Sequence, residues 1–499
     1  MLSLLAFETP TIDYHAFAPE IVLVGTLVAL ILVDVVGRET SRWAASSLAG
    51  IGILAALVPV ATLAYDGVVR SLFDGAYVVD DYALVFKALF LVSGYVVVLL
   101  STNYIAEGDY WEGEYYQLLV ASLLGMLVMA SARDLISMFI ALELLSIPAY
   151  MLAAWRRRDS SEEAGIKYYL MGVFASAILL YGMSLLYGLT GSTRLADVAQ
   201  AVAGDPTPIA VLAVAFSVIG FGFKISAVPF HTWAPDVYEG APTPVTAFLA
   251  VASKAAGFVA LITLVLVAFP TRTDVTEPLI WALAALTMVV GNLIALRQTN
   301  LVRMLAYSGI AQAGYIMAPL AVAGLSPDGF SAAAQSMATY LVIYMAMNLG
   351  AFAVVIAVAR KTGSAEIDSY GGLFQYAPGL AVAMTVFMFS LAGIPPLAGW
   401  YAKLAVLQAL VNSGAVSGYA LAVLVGLNSV VALFYYARVT RVMWADPAPD
   451  GDHTPIRVPV SITAALTITV VLTVVVGIVP QALTHFTGAQ DLLTLGLGG

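Results

Sequence analysis

Five ionisable side chains stand where a lipid bilayer should be. Glu143 lies in "LISMFIALELLSIPAYML", Lys224 in "FGFKISAVPFHTWAPDVYEGAPTP", Lys254 in "LAVASKAAGFVAL", Lys403 in "SLAGIPPLAGWYAKL" and Lys87 in "DYALVFKALFLV". A charge at the bilayer centre costs at least ~2.5–3.5 kcal/mol on insertion scales, so such groups survive by facing protein, pairing or lining water. Held in that way they can bind and release protons.

Glu143 sits nine residues after Asp134 and thirteen before Arg156. At ~1.5 Å per residue it is far from both helix ends, so it reads as a titratable site or as a carboxylate holding two helices together. Lys254 is surrounded by Ala252, Ser253, Ala255, Ala256 and Gly257, small residues that let helices approach closely and bury the ammonium. Lys224 lies five residues before Pro229, and Lys403 seven after the Pro395–Pro396 pair. Proline breaks a helix, and broken backbone at membrane depth is tolerated only where it is buried or lines a wet cavity. Two interrupted helices, each with a lysine at the break, point to ion translocation between two related halves; a simple kink is the alternative for each alone. His231, in the first break, fits a proton shuttle or a cap for freed carbonyls. Asp236 and Glu239 belong to the hydrogen bonding of that loop or to its aqueous mouth. Lys87 is placed to snorkel outward.

The chain that positions these groups has 499 residues, 61% hydrophobic and 10% charged, with mean hydropathy +0.94. Soluble domains carry about 25% charged residues, so this is an integral membrane protein with no room for a large soluble domain. The first twenty residues hold Glu8, Asp13 and Glu20 and no basic n-region, so the first apolar run reads as a retained span. Absence of cysteine removes disulfides and cysteine-ligated clusters. No glycine-rich nucleotide fingerprint or phosphate loop is present, and a net charge of −10 excludes a broad nucleic-acid surface.

Apolar runs near the ~20 residues needed to cross a bilayer predict fourteen helices: 19–36, 43–65, 81–102, 115–131, 134–155, 165–189, 208–229, 243–269, 278–296, 300–324, 332–359, 377–412, 417–444 and 457–480. One side then holds Arg38, Arg42, Arg156, Arg157, Arg158, Lys167, Arg297, Arg303, Arg360, Lys361, Arg438, Arg441 and Arg457, and the other only Arg70, Arg133, Arg194 and Arg272. The positive-inside rule puts both termini on the non-cytoplasmic side. If the two broken helices are counterparts, the repeats are helices 4–8 and 9–13. Five helices per unit is odd, so consecutive units insert with opposite orientation. The division is 1–110 for an N-terminal three-helix segment, 111–270 and 271–445 for the repeats, and 446–499 for a last helix and tail. The repeat is not visible as residue identity: "ARDLISMFIALELLSIPAY" and "QTNLVRMLAYSGIAQAGY" align only loosely.

The stretches "ALELLSIPAYMLAAW", "GIKYYLMGVFASAILLYGMSLLYGLTGS", "GFKISAVPFHTWAPDVYEGAPTPVTAFLAVASKAAGF", "VRMLAYSGIAQAGY" and "SLAGIPPLAGWYAKL" resemble the antiporter-like subunits of proton-pumping NADH–quinone oxidoreductase (respiratory complex I), a family shared with multisubunit Na⁺/H⁺ antiporters. "ELLSIPAY" with "KYYLMGVFASAILLYGMSLLYG" sets the N branch apart from its sisters. The resemblance implies an all-α fold of about fourteen transmembrane helices, with inverted repeats and broken helices 7 and 12. It also implies a hydrated midplane row in which Glu143, Lys224, Lys254 and Lys403 relay protons. Gln312 stands where related subunits often carry histidine, which puts a titrating relay through that helix in doubt.

On this reading an ionised Glu143 close to Lys224 favours its protonated form, at about 4 kcal/mol for a charge pair at effective dielectric ~20; weakening the pair sends the proton towards Lys254 and Lys403. NADH or a similar donor, flavin, iron–sulfur clusters and quinone are expected in partner subunits, with sister antiporter-like and small membrane subunits as neighbours in the cell inner (plasma) membrane. This chain alone does no redox chemistry. The alternatives are a subunit of a multisubunit Na⁺/H⁺ antiporter or membrane-bound hydrogenase, and a non-transporting membrane scaffold.

Overall fold

A computed structural model describes residues 12–36, 44–108, 112–156 and 158–487. The N-terminal segment consists of α1 (Ala18–Val36), α2 (Ala44–Asp66), a hairpin of β1 (Arg70–Leu72) and β2 (Tyr77–Val79), and α3 (Asp81–Ala106). There follow α4 (Glu112–Ser131), α5 (Leu135–Ala153), α6 (Asp159–Thr190), the short α7 (Leu195–Val202), α8 (Pro208–Lys224), α9 (Trp233–Gly240), α10 (Thr243–Phe248) and α11 (Lys254–Thr263). A π turn at Leu249–Ser253 joins the last two. The second half holds α12 (Thr273–Ala295), α13 (Leu301–Met317), α14 (Gly329–Thr362), α15 (Leu373–Tyr376), α16 (Pro378–Ala392), α17 (Ala398–Asn412) and α18 (Val416–Ala445), and α19 (Val460–Ile478) follows.

Among the described residues twelve helices are long and apolar enough to cross a membrane. The expected count of fourteen is reached only by treating each broken helix as one further crossing. The breaks correct two predicted spans. The run 208–229 ends as helix at Lys224, and 377–412 is two helices separated by residues 393–397. Burial orders the bundle: the span Thr243–Ala268 is wholly inside and Gly329–Thr362 94% so, whereas the first and last are each 28% buried. The core therefore sits between the two halves.

Local chemistry sets the helix starts. Asp80 accepts from the Ala83 amide at 2.7 Å; Asp134 accepts from Ile136 and Ser137 at 2.9 and 3.1 Å; Asn300 accepts from Val302 and Arg303 at 2.9 and 3.2 Å. Each is an N-cap satisfying amides that lack an intrahelical partner. Pro208 and Pro378 open α8 and α16, where a missing N–H is tolerated.

The packing of the first half recurs in the second. α4 lies on α5 as α12 lies on α13, and α6 touches both α8 and α9 as α14 touches α16 and α17. Matching loops repeat the pattern in detail. α6 and α14 both end on a left-handed glycine, Gly191 (φ 70°) and Gly363 (φ 64°), a conformation that only glycine adopts readily. Just beyond, Leu135 donates to the Thr193 carbonyl and Leu301 to the Ala365 carbonyl, both at 2.8 Å. Residues 190–197 read TGSTRLAD and 362–368 TGSAEID, so residue identity between the halves does exist, in the loops rather than in the spans. The two loops lie at opposite ends. Arg194 donates to the Asp74 carbonyl in the β-hairpin before α3, whereas Gly363, Ser364 and Ala365 line a cleft with Glu107, just after α3. The halves are inverted.

Candidate functional site

Lys224 is the last residue of α8, 3% exposed. Its ammonium donates to Ser146 Oγ on α5 at 2.9 Å and to the Tyr168 hydroxyl on α6 at 3.2 Å. Beyond it the chain leaves the helix through left-handed Ser226 (φ 59°) and a cis bond before Pro229. Trp233, which opens α9, stacks on Tyr168 with ring centres 4.5 Å apart and donates from its indole to the Phe223 carbonyl at 3.2 Å. The Val228 amide is taken up by Thr287 Oγ1 of α12 at 2.9 Å. Aromatic stacking and a contact from the second half thus hold the break beside the lysine.

Glu143 does not touch Lys224. It is half-buried on α5 and accepts from Ser176 Oγ of α6 at 2.6 Å. Ser146 and Ser176 flank a crevice of about 10 Å³ that reaches Lys224, also lined by Tyr150, Gly172 and Gly220. This is room for about one water. The direct charge pair expected from the sequence is therefore replaced by a carboxylate and an ammonium separated by hydroxyls.

Lys254 opens α11 after the π turn and is 2% exposed. The small neighbours behave as expected. Gly257, one turn on, packs so tightly on Lys224 that a Cβ there would meet Lys224 Cγ at 2.9 Å. The Lys254 ammonium donates to the Gly309 carbonyl of α13 at 2.9 Å. At the neighbouring residue a chain of neutral polar groups begins. Ser308 Oγ and the Tyr436 hydroxyl are 2.5 Å apart, Gln312 donates to Tyr436 at 3.3 Å and to the Leu391 carbonyl at 3.2 Å, and Tyr340 donates to Gln312 Oε1. Lys403, 5% exposed, donates to the adjoining Ala392 carbonyl at 2.8 Å, and its ammonium lies 5.0 Å from the centre of the Tyr315 ring. The three row lysines thus face protein rather than acyl chains while Glu143 is half-buried, and the Ser308–Tyr436–Gln312 chain lies between the carbonyls that Lys254 and Lys403 bind.

His231 stands apart. It lies half-buried in the break with Nδ1 buried and without a hydrogen-bond partner, and no hydrogen bond among the described residues joins it to Lys224. Asp236 and Glu239 form surface ion pairs, Asp236 with Lys167 at 2.8 Å and Arg303 at 3.0 Å, and Glu239 with Arg303 at 2.7 Å, which tie α9 to α6 and α13. Lys87 corrects the snorkelling expectation. It is wholly buried and turned inward onto Glu20 at 3.0 Å.

The residues missed from the sequence are the neutral ones: Ser146, Tyr168, Ser176, Ser308, Tyr340 and Tyr436. Single hydroxyls in apolar helices are compatible with packing alone, and nothing local marks which face the lysines. A polar cleft of about 420 Å³ opens at one end of the bundle, lined among others by Glu107, Arg156, Tyr238, Asn300 and Arg360. Tyr238 is 1% exposed, and its hydroxyl has no hydrogen-bond partner.

A family of transmembrane proteins described as NADH:quinone oxidoreductase/Mrp antiporter matches residues 132–431. NADH-quinone oxidoreductase subunit N of Desulfitobacterium hafniense is 43% identical over 441 residues, 85% of this chain and 88% of that protein. NAD(P)H-quinone oxidoreductase subunit 2 of Thermosynechococcus vestitus is 42% identical over 430 residues, 85% and 81% of the two chains. A chain of respiratory complex I from Thermus thermophilus superimposes with TM-score 0.78 at 34% identity over 94% of this chain and 98% of its own length. A chain of the Mrp complex from a Dietzia species gives TM-score 0.85 at 21% identity, covering 97% and 98%, a likeness of fold.

Proposed function

Because the chain belongs to the NADH:quinone oxidoreductase/Mrp antiporter transmembrane family, we propose that it moves protons along a row formed by Glu143, Lys224, Lys254 and Lys403. It is an antiporter-like membrane-arm subunit of a proton-translocating NADH (or similar donor)–quinone oxidoreductase. Other membrane-arm subunits are its neighbours. NADH, flavin, iron–sulfur clusters and quinone are assigned to partner subunits; with no cysteine, this chain has no thiolate to ligate a cluster.

The observation that carries the reading is the burial of three lysine ammoniums, each bonded only to neutral oxygen. A lysine fixed for packing is expected to face a carboxylate, because an unpaired buried charge is costly. A lysine among hydroxyls and carbonyls is supported in both protonation states, the property a relay needs. The Glu143 carboxylate, bonded to Ser176, is the charge that acts on Lys224, bonded to Ser146, across the crevice these two serines flank. When that carboxylate is neutralised or withdrawn, Lys224 gives up its proton towards Lys254. The Ser308–Tyr436–Gln312 chain leads on to Lys403.

The cleft near Tyr238 suits proton entry, and the end that carries it also holds Arg156, Arg158, Arg303 and Arg360. With those four, Lys167, Arg297, Lys361, Arg438, Arg441 and Arg457 make ten described basic residues of the side predicted to be cytoplasmic, against Arg70, Arg133, Arg194 and Arg272 at the hairpin end. This asymmetry supports a cytoplasmic cleft, both termini outside, and residence in the cell's plasma membrane. Arg38, Arg42 and Arg157 lie outside the described residues. The divisions 1–110, 111–270, 271–445 and 446–499 fit the recurring packing. His231 serves better as part of the break than as a shuttle.

The test is a vesicle assay on the assembled complex that compares donor oxidation with proton uptake. Lys403→Ala should lower proton uptake per donor oxidised, and pumping at the wild-type ratio would refute the row.

A further inference from the structure

The charges used so far lie in the two repeats. A second group lies outside them, beneath the β1–β2 hairpin. Glu20, in the first turn of α1, is 1% exposed, and Lys87 on α3 is wholly buried. Their charged atoms are 3.0 Å apart. The ammonium also donates to the Tyr77 hydroxyl at 2.8 Å, and its contact with Glu20 is an ion pair that falls short of hydrogen-bond geometry. Both Glu20 carboxylate oxygens are left without a hydrogen-bond partner. Close by, the buried Ser131 hydroxyl lies within reach of Tyr77 and the buried Tyr82 hydroxyl within reach of Thr263, but none of Ser131, Tyr82 and Thr263 makes a contact of full hydrogen-bond geometry. A second buried pair, Asp80 with Arg133 at 2.9 Å, adjoins them.

This arrangement is a poor fastening. Burying two ions costs several kcal/mol each, and the attraction repays it only with good geometry and satisfied lone pairs. Here the carboxylate can accept about four hydrogen bonds, and beyond the 3.0 Å ion pair with Lys87 no contact to it meets hydrogen-bond geometry. Five orphaned polar atoms (two on Glu20 and one each on Ser131, Tyr82 and Thr263) gather in one place. Buried polar atoms that lack protein partners are ordinarily satisfied by water, the one small ligand able to serve donors and acceptors together.

We propose that Glu20 and Lys87 form a second, hydrated proton-exchange site, separate from the row of Glu143, Lys224, Lys254 and Lys403 and in contact with solvent at the hairpin end of the bundle. In the internal step the Lys87 ammonium hands one proton to the Glu20 carboxylate, so an ion pair becomes an amine and a carboxyl group with no change of net charge. A proton from hairpin-end water then recharges the amine. The titratable and charged groups around the pair are Asp80 at the N-cap of α3, Tyr82 on α3, Tyr77 on β2 and Arg133 ahead of α5. The hairpin covers the pair together with Phe17, whose ring lies 5.1 Å from that of Tyr77. Tyr77 is its lid residue, and the adjoining Phe73 and Asp74 are exposed.

Infrared difference spectroscopy on the assembled complex in lipid, stepped from about pH 9 to about pH 5 across the range where perturbed carboxyl and amine groups titrate, reads the site without donor oxidation or pumping. It therefore stands or falls apart from the row. A carbonyl band of a protonated carboxyl should grow as pH falls and be missing in Glu20→Gln. Tyr77→Phe removes the hydroxyl but keeps the ring, and should move the midpoint of that band by about one pH unit. If Glu20→Gln alone does not assemble, the double variant Glu20→Gln/Lys87→Met, which removes both charges, should assemble and lack the band. A titrating band unchanged in these variants, or no titrating band in the wild type, overturns the proposal.

Discussion

Gln312 and Lys403 bind consecutive carbonyls at the end of α16, Gln312 that of Leu391 at 3.2 Å and Lys403 that of Ala392 at 2.8 Å. A residue on α13 and the lysine after the second break thus share one short segment of backbone. Glutamine does not titrate here, but its amide donates and accepts at once. It accepts from Tyr340 and donates to Tyr436, so the groups lying between Lys254 and Lys403 are neutral hydroxyls and amides.

Tyr436 is the group whose removal should interrupt that connection. Tyr436→Phe keeps the ring and deletes the hydroxyl shared by Ser308 and Gln312. The fold should survive with a loss of about 1–3 kcal/mol for the partners left unsatisfied. Proton uptake per donor oxidised should fall severalfold in vesicles. Unchanged coupling in an assembled complex would remove Tyr436 from the path.

Gly257 sets the approach of α11 to Lys224. Gly257→Ala adds a methyl 2.9 Å from Lys224 Cγ and 3.1 Å from both Lys224 Cβ and Ile225 Cγ2. A gain of ~1 kcal/mol in helix propensity opposes about 1–3 kcal/mol of overpacking, and the backbone-proximal clash on Lys224 wins. The melting temperature of the purified protein should fall, and pumping with it. Gly25→Ala on α1, with nothing within 4 Å of the new methyl, should be neutral or slightly stabilising. If the two variants melt alike, the close approach is unimportant.

The lysines, the glutamate and the two breaks were legible because a bilayer makes ionisable residues and prolines conspicuous. Burial of Lys224, Lys254 and Lys403 followed from that alone. The direct Glu143–Lys224 pair was not a sound inference. Sequence places two residues on neighbouring helices but does not set their rotation, and Ser146 and Ser176 take the intervening positions. Lys87 misled because nearness to a helix end is equally compatible with snorkelling outward and with pairing inward, and Glu20 lies 67 residues earlier. The inverted repeat was sought in the spans, where lipid and core packing accept many apolar residues. It was written in TGSTRLAD and TGSAEID, where a left-handed glycine and a hydroxyl turn leave few substitutes.

The connector between α18 and α19 offers a pH-dependent contact outside the membrane. Hydrogen bonds from the Thr454 amide and hydroxyl, and then Lys361, hold the Asp452 carboxyl down to about 2. Lys361 also donates to the Thr454 carbonyl at 2.7 Å. A depressed carboxyl contributes stability above its unfolded value of ~3.9 and loses it as pH falls through the folded value. The contact should therefore be constant from neutral pH down to about 4 and fail below it, towards pH ~2. Asp452→Ala should raise the rate of limited proteolysis within residues 446–459 at neutral pH. Equal cleavage of variant and wild type at that pH would show that the contact does not order the connector.

Thr287 is the point at which the second half of the chain fastens the break of the first. The Val228 amide has left the helix and cannot use an i−4 carbonyl; Thr287 Oγ1 on α12 accepts from it at 2.9 Å. Thr287→Val preserves shape and removes the acceptor, leaving a buried N–H unsatisfied at a cost of about 1–3 kcal/mol. Because Lys224 lies four residues before Val228, the loosened loop should also lower proton uptake per donor oxidised. Thr287→Ser returns the hydroxyl without the methyl and should restore most of that coupling, which a purely volumetric role would not do. The measurement pairs a thermal melt with the vesicle assay for both variants. A wild-type melt and wild-type coupling in Thr287→Val would mean that the break is held from within the first repeat alone, by the Tyr168–Trp233 stack and the Trp233 bond to Phe223.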